Sequence, residues 1–422
     1  MSSLEIKVDH VTRVEGHGNI VALLREGKVD RAILQVVEAN RFFESILLGQ
    51  TFDQVAHIAS RICGICAVSH SCASLQATET ALGIEVSRQT TLLRRLLMNG
   101  EQLSSHALHV YFLAAPDFLN LDSVLGLLKV DPEAVDRAFR VKSTAYAIAK
   151  VIAGRHTHPI ACVPGGFTAI PSPEALEDLK QRLADLWDDL WKSVDLYKEL
   201  EIPDFQRETE YVCLRQSECY TFYGGRIVSS DGDSIDADDY TQAISEYVAT
   251  HSTAKHARWH RDSYMVGALA RVNNNGQQLR SEARQALAAL GLTPPCCNPF
   301  INTSAQLVEM VHCLADSIAT IDEILGLGLR AEDVSELPAR AGRGVGVVEA
   351  PRGLLIHDYT YDEQGRCVGA NCVIPTGQNL ANLDADMRAH LAEIADRPEQ
   401  EIRKALEMLV RAYDPCISCS AH

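Results

Sequence analysis

Along "LEIKVDHVTRVEGHGNIVALLREGKVDRAILQVVEAN" apolar and polar residues alternate, with glycine breaks and a Glu-Gly-Lys turn. That period of two predicts strands joined by tight turns. From Arg41 to about Leu113 the period lengthens. "QTTLLRRLLMNGEQLSSHALHVYFL" spaces its apolar residues three and four apart, the stripe of a helix buried on one side. A further helix is predicted over "SPEALEDLKQRLADLWDDLWKSVDLYKEL", with Ser172 as N-cap and Pro173 in the first turn. Its apolar face is Leu176, Leu179, Leu183, Leu186, Leu190 and Val194. "CYTFYGGRIVSSDGDSIDADDY" reads as short strands and turns with an acidic, solvated loop, and "TSAQLVEMVHCLADSIATIDEIL" as a long helix. Strand character returns in "GVGVVEAPRGLLIHDYTYDEQGRCVGANCVIP", with Asp362 to Gly365 as a hairpin turn. The last helix runs to "ALEMLVRAYDPC", where Pro415 stops it. Without internal repeats or long linkers, the predicted class is α+β, mostly helical. N-terminal and late β-segments surround a helical core, and residues 1–422 form one compact domain.

Composition narrows the function. The 422 residues are 46% hydrophobic and 23% charged, as in a globular protein with a substantial core. A net charge of −17 argues against a nucleic-acid partner. No apolar run reaches the ~20 residues of a membrane span. The start, "MSSLEIKVDH", has no basic region followed by an apolar stretch, so no signal peptide is expected and the expected address is the cytoplasm. Thirteen scattered cysteines are not a secreted disulfide framework. No glycine-rich phosphate loop or dinucleotide fingerprint stands out.

Two Cys-x-x-Cys pairs carry the chemistry. Cys63 and Cys66 are followed by His70 in "RICGICAVSH"; Cys416 and Cys419 are followed by His422 in "DPCISCSAH". Four thiolates make a soft, sulfur-rich metal site. Joining the pairs closes about 350 residues of chain, but loop-closure entropy grows only slowly with length. The plain reading is a structural zinc with four cysteine ligands. Against it, such pairs usually lie in small local knuckles, and Glu15, Arg352 and the nearby histidines have no use in a closed zinc site. A thioredoxin-like reading is weaker, since no βαβ pattern surrounds "CGIC".

These motifs resemble those of nickel–iron hydrogenase large subunits. "RICGICAVSH" is similar to the family's R-x-C-G-x-C-x-x-x-H, and "DPCISCSAH" to its D-P-C-x-x-C-x-x-H. "TRVEGHG", "GRHTHP", "PGGF", "EAPRGLLIH" and "VIPTGQN" follow in the family's order, so the resemblance spans nearly the whole chain. Within the family, the chain looks most like the cytoplasmic, cofactor-coupled group.

The resemblance implies a large-subunit-like fold and a nickel–iron centre. Nickel would take all four thiolates, with Cys66 and Cys419 bridging to an iron that holds one CO and two cyanides. Dihydrogen would split heterolytically, its proton going to Cys416 and onward through Glu15. Arg352 would lie over the cluster and meet a cyanide, and Thr376 would hold the other. Asp414 and Asp117 would orient the arginine, while His70 would donate to a bridging sulfur. Glu44, His422 and the Cys372 carbonyl would hold Mg²⁺. An iron–sulfur small subunit, a diaphorase-type or other reductase subunit passing electrons to NAD(P) or another carrier, and maturation proteins are the implied partners. "VIPTGQN" and "RFFES" depart from the commoner family forms at Gly377, Gln378 and Phe42–Phe43. Two rival classes are a non-catalytic four-cysteine zinc scaffold and a subunit like the quinone-site subunit of respiratory complex I, which lacks the four cysteines.

The remaining candidates read as structural. Cys72, Cys162 and Cys313 sit among apolar neighbours. Cys213 with Cys219, and Cys367 with Cys372, have loose metal-like spacing but read as core or surface thiols. His106 and His109 read as packed helix histidines, and His158 as a residue near the site or its proton path. "DGDSIDADD" lacks the spacing of a calcium loop.

Overall fold

Ser3–Val8, Gly18–Arg25 and Lys28–Val36 pair antiparallel, in that order, at the start of the chain. A computed structural model describes residues 3–334 and 337–422. Glu26 and Gly27, between the second and third strands, both have positive φ (52° and 74°). A two-residue turn of that kind matches the right-handed twist of its strands. Alternation does what it predicts: Ile20, Ala22, Leu24, Ala32, Leu34 and Val36 are all buried. They share a core with Leu380, Leu383 and Met387 of the Pro375–Glu393 helix and with Ile402, Leu406 and Leu409 of the Glu399–Ala412 helix.

The helical body is built from Arg88–Ala107, Pro132–Ala153 and Asn302–Leu327, with Arg88–Ala107 packed against both of the others. Two predicted helices differ in detail. The stripe from Leu176 to Val194 is fully buried, but it belongs to two helices, Pro173–Ala184 and Trp187–Lys198. At the break the Leu186 N–H bonds to the Leu183 carbonyl (3.0 Å), a tighter i→i+3 closure that bends the axis while keeping the stripe inward. The helix expected to run to Leu113 is α-helical only to Ala107 and then widens to a π-helical stretch, Leu108–Ala114, shortly before Pro116. Proline has no N–H to continue the ladder.

Gly342–Ala350, Gly353–Tyr361 and Cys367–Val373 form an antiparallel sheet in chain order. Its hairpin turn is where predicted: Asp362 Oδ1 accepts from the N–H groups of Gln364 (3.0 Å) and Arg366 (2.8 Å). The first strand lies against the Ala67–Leu82 helix through glycines. A Cβ on Gly342, Gly344 or Gly346 would lie 2.2, 2.2 or 2.0 Å from the carbonyl oxygen of Ala81, Ala77 or Ala73. The match is metric, since four helical residues rise about 6 Å and two strand residues about 6.6 Å. Every second glycine therefore meets every fourth alanine. The contact runs antiparallel, so it brings the helix's N-terminus, just after Cys66, to the strand end that leads into Arg352. Helices outweigh strands, giving the α+β class expected. Among the described residues no helix is long and apolar enough to cross a membrane.

Candidate metal centre

Cys63 follows the short Ser60–Ile62 turn, and Cys66 directly precedes the Ala67–Leu82 helix. The other pair arrives on the chain's last residues. Asp414 turns the backbone out of the preceding helix with φ of +51°, and Pro415 prevents the helix from resuming. The tail then runs beside the "TRVEGHG" loop, where the Ile417 N–H donates to the Glu15 carbonyl (2.9 Å). Gly16 permits this approach: its φ is +85°, and a Cβ there would lie 2.8 Å from both Ile417 Cβ and Ser418 N. On the other side the Arg41 N–H donates to the Ala421 carbonyl (3.0 Å), and its guanidinium donates to the carbonyls of Ile62 (2.7 Å) and Ser418. Arg41 thus ties one cysteine segment to the other.

The four sulfurs meet. Cys63 Sγ lies 3.5 Å from Cys416 Sγ, Cys66 Sγ 3.6 Å from Cys419 Sγ, and Cys416 Sγ 2.8 Å from Cys419 Sγ. All four are buried and none is in a disulfide. Hydrogen bonds from Cys416, Cys419 and Cys66 hold the Cys63 thiol well below its ordinary value, against the effect of burial. Burial, followed by its three sulfur neighbours, pushes the Cys419 thiol well up. Four adjacent thiolates would repel one another in this low-dielectric setting, so the donor set fits a bound soft cation.

A small cavity adjoins the sulfurs, lined by His70, Arg352, Thr376 and the apolar Leu355, Ile374 and Pro375. Arg352 is held rigidly: Nε donates to the Asp414 carbonyl (2.7 Å), Nη2 to Asp414 Oδ1 (2.8 Å) and Nη1 to Ser105 Oγ (3.2 Å). Gln306 in turn donates to Asp414 Oδ2 (3.1 Å). Burial lowers the Arg352 pKa, but Asp414 and the nearby sulfurs outweigh it and the net shift is well upward. A guanidinium has five N–H donors, so Arg352 keeps further donors for the cavity it lines. Thr376 Oγ1 accepts from the Cys416 N–H (3.0 Å), which leaves its own hydroxyl proton to donate elsewhere. Glu15 Oε2 lies 3.1 Å from Cys416 Sγ and also accepts from the Ser418 N–H (3.0 Å). The Ser418 hydroxyl donates to Glu15 Oε1.

One expectation is corrected by placement. Asp117 does not orient Arg352. It bridges Arg411 (2.6 and 2.9 Å) and Arg13, because the π-helical stretch before it carries it toward the "TRVEGHG" loop. His70 Nδ1 meets His357 Nε2 at 3.0 Å. Burial lowers its pKa to about 4, so the ring is neutral at pH 7, and the side chain lines the cavity beside the sulfurs. His158 bonds the Ser60 carbonyl through Nδ1 (2.9 Å), three residues before Cys63.

A second cluster holds the terminal histidine. Glu44 Oε1 accepts from the Cys372 N–H (3.0 Å) and lies 3.4 Å from His422 Nε2. In an antiparallel strand the N–H and C=O of one residue face the same side, so the Cys372 carbonyl shares this edge. Both ring nitrogens of His422 are buried with no hydrogen-bond partner among the described residues. Burial raises the Glu44 carboxyl, but His422, the Cys372 N–H and Lys255 overcome it and hold it at about 2. An orphaned imidazole beside an ionised carboxylate and a backbone carbonyl fits a divalent cation. Lys255, which lies 3.5 Å from Glu44 and 3.4 Å from Glu246, shares the carboxylates.

Sequence reasoning missed Ser105, Gln306, Arg41, Ser418 and Lys255. Ser105 and Gln306 are polar residues inside helices otherwise read as core, and a polar residue on a buried stripe was the signal available. His106 and His109 are structural: His106 Nε2 meets Glu309 (2.8 Å), and His109 Nε2 meets the Arg411 carbonyl (2.7 Å). Cys72, Cys162, Cys213, Cys313 and Cys367 are buried apart from the four-sulfur site.

A buried four-sulfur centre flanked by a fixed arginine and a carboxylate defines a redox metalloenzyme more than a closed structural zinc protein. Residues 41–139 and 216–422 match the family model described as nickel-dependent hydrogenase, and residues 5–39 match one described as HoxL-like. Sulfhydrogenase 1 subunit alpha of Pyrococcus furiosus is 32% identical, over 99% of this chain and 98% of its own length. NAD-reducing hydrogenase HoxS subunit beta of Cupriavidus necator is 30% identical, over 100% and 95%. The crystal structure of an NAD⁺-reducing [NiFe]-hydrogenase in the H₂-reduced state superposes with a TM-score of 0.88 at 27% identity, covering 99% of both chains. The chain belongs to the nickel-dependent hydrogenase family. It is the catalytic large subunit of a nickel–iron hydrogenase, an oxidoreductase acting on dihydrogen, and Cys63, Cys66, Cys416 and Cys419 are its four-sulfur set.

Proposed function

We propose that this subunit works in the cytoplasm with an iron–sulfur small subunit and a diaphorase-type reductase, exchanging electrons between dihydrogen and NAD(P) or another soluble carrier. The likeness to NAD-reducing relatives supports the carrier. The need for partners rests on this chain's cysteines: beyond the four-sulfur set, no second all-cysteine cluster occurs among the described residues, so electrons require an acceptor on another chain. We read residues 1–422 as one domain, since the site draws on both ends of the chain.

When bound, the nickel–iron group, with its iron carrying one CO and two cyanides, supplies the metals at which dihydrogen is polarised. The protein's own part is positioning and proton handling. All four cysteines would hold the metals, with Cys66 and Cys419 serving both of them. Arg352, fixed by Asp414 and Ser105, and Thr376, fixed by the Cys416 N–H, aim donors into the cavity where cyanides would lie. Apolar Leu355 and Ile374 keep water out. Cys416 takes the proton at Sγ and Glu15 relays it outward; the 3.1 Å contact between them is the observation that carries this reading. Asp117 sets the Arg411 and Arg13 side chains that brace the Glu15 loop, and His70 would donate a hydrogen bond to a bridging sulfur. Glu44, His422 and the Cys372 carbonyl would hold Mg²⁺, which would pin the tail once maturation proteins have loaded the metals.

The test is an infrared spectrum of the anaerobically purified complex, together with dihydrogen-dependent reduction of NAD(P)⁺. One CO and two cyanide bands are expected. Their absence from fully metallated protein would overturn the ligand set, and bands without nucleotide reduction would point to another carrier.

A further inference from the structure

Apart from the hydrogenase centre, His251, His256 and Asp384 bring three ligand atoms within 4.8 Å of one another. They come from different elements. His251 lies in the turn after Val248, His256 opens the His256–Arg258 strand, and Asp384 sits in mid-helix on Pro375–Glu393. His251 Nε2 lies 3.1 Å from Asp384 Oδ2. His256 Nε2 is 3.7 Å from the same oxygen, too far for a hydrogen bond. The two imidazoles meet edge to face, with centroids 5.3 Å apart and planes at 84°.

His256 is the telling residue. Its side chain is 3% exposed, and neither ring nitrogen has a hydrogen-bond partner among the described residues. Buried polar groups are normally satisfied. The carboxylate is already oriented: Asp384 Oδ1 accepts the Leu34 N–H (2.8 Å), leaving Oδ2 toward the histidines. That backbone contact does for the aspartate what an outer hydrogen bond does for a metal ligand. By contrast, the grouping of Glu210, Asp231 and His260 is satisfied internally. His260 bonds Glu210 and Asp233, both at 2.7 Å, and Arg261 covers Asp231.

We propose that His251, His256 and Asp384 form a site for a divalent transition ion of the zinc class. Two imidazole nitrogens and one carboxylate oxygen are borderline donors that suit Zn²⁺ better than Mg²⁺ or Ca²⁺. His251 and Asp384 are 24% and 14% exposed, so water has access to complete the shell. The ion would clamp three parts together. Leu34 belongs to the N-terminal sheet, the histidine turn is tied to that sheet's edge by Thr253 N–H donating to the Val36 carbonyl (3.1 Å), and the Asp384 helix begins beside Thr376. The proposal does not depend on the hydrogenase reading.

The test uses the mature complex, treated with a mild chelator, dialysed, and titrated with Zn²⁺, then with Co²⁺ as a spectroscopic stand-in. Zinc and nickel are counted together by mass spectrometry. The expected result is one zinc per chain and a cobalt d–d spectrum, both lost in His251→Ala and in Asp384→Asn while nickel content is unchanged. His251 is partly exposed, so its variant keeps the test valid if His256→Ala fails to fold. Absence of stoichiometric zinc, or zinc retained in the His251→Ala/Asp384→Asn double variant, would overturn the site and leave a bridging water between the rings and the carboxylate.

Discussion

Glu15 touches the Cys416 sulfur and the Ser418 N–H with one oxygen, and the Ser418 hydroxyl with the other. Its neutral isostere keeps the shape and loses the proton function. Glu15→Gln is expected to retain nickel but to slow hydrogen–deuterium exchange with dihydrogen by about 10²–10⁴-fold, the usual worth of a positioned acid–base group. Metal analysis and gas-phase isotope exchange on one preparation check both halves. Arg352 is bound through a fork, Nε and Nη2 both reaching Asp414, and lysine cannot reproduce a fork. Arg352→Lys should lower turnover by about 10²–10³-fold, as loss of an aimed donor does elsewhere, with infrared bands shifted but present. Normal turnover in this variant would remove Arg352 from the machinery. At this scale motif reading picked out Glu15, Arg352, Asp414 and Thr376, which the fold brings around the sulfurs. It failed for Asp117, whose partners Arg13 and Arg411 lie far from it in sequence.

Among the elements, the contact of the Gly342–Ala350 strand on the Ala67–Leu82 helix sets the distance between Cys66 and Arg352. Gly344 has no positive φ, so its need for glycine is steric alone. Gly344→Ala would press a methyl group against the Ala77 carbonyl and should destabilise the protein by about 1–3 kcal/mol, the cost of overpacking. Nickel occupancy should fall as well, because the strand must shift relative to the helix that follows Cys66. Gly369→Ala, whose Cβ would meet Thr360 at an ordinary 3.4 Å, is the control and should be nearly silent. Thermal denaturation with nickel analysis separates the two. The alternation of "GRGVGVVE" marked this strand, but which helix it would touch was not written in either segment. The break at Leu186 and the π-helical stretch were likewise unreadable, since a periodic stripe survives a change of helical pitch.

For the molecule as a whole, a buried ion network stands behind the site. Arg271 meets Glu309 (2.6 and 2.7 Å) and Glu349 (2.8 Å), with all three side chains at 0% exposure. Burial opposes ionisation of Glu309, but Arg271 overcomes it and holds the carboxyl at about 2 against an ordinary 4.5. Burial pushes Glu349 up to about 7, so one proton relieves the repulsion of two carboxylates on one arginine. The signs follow. Stability from Glu309 is fully present above pH 4.5 and lost as pH falls through about 2. Glu349 contributes the opposite slope, stability declining as pH rises from 4.5 through about 7. Arg271→Met should cost about 3–5 kcal/mol near neutral pH by stranding buried carboxylates, a cost that acid relieves by protonating them, so stability should fall less steeply on acidification, as followed by circular dichroism against pH. An unchanged pH profile would show that Arg271 is dispensable. The tail offers a second global test. Because Arg41 and Glu15 hold it by backbone contacts as well, His422→Ala should loosen the tail and reduce nickel retention after magnesium chelation without unfolding the rest.

By itself the sequence determined the strands, most helices, the four thiols and the groups that serve them. Those follow from local periodicity and from residue chemistry, both of which are properties of short stretches. Only the tertiary structure decided what meets what. Residues 353 positions apart share one sulfur site, Asp117 serves Arg13 and Arg411, and two histidines with a helix aspartate converge outside any motif. Such meetings depend on long-range packing, where the closeness of a glycine strand to an alanine helix or the bend at a tightened turn sets positions to within an ångström. No single segment carries that information.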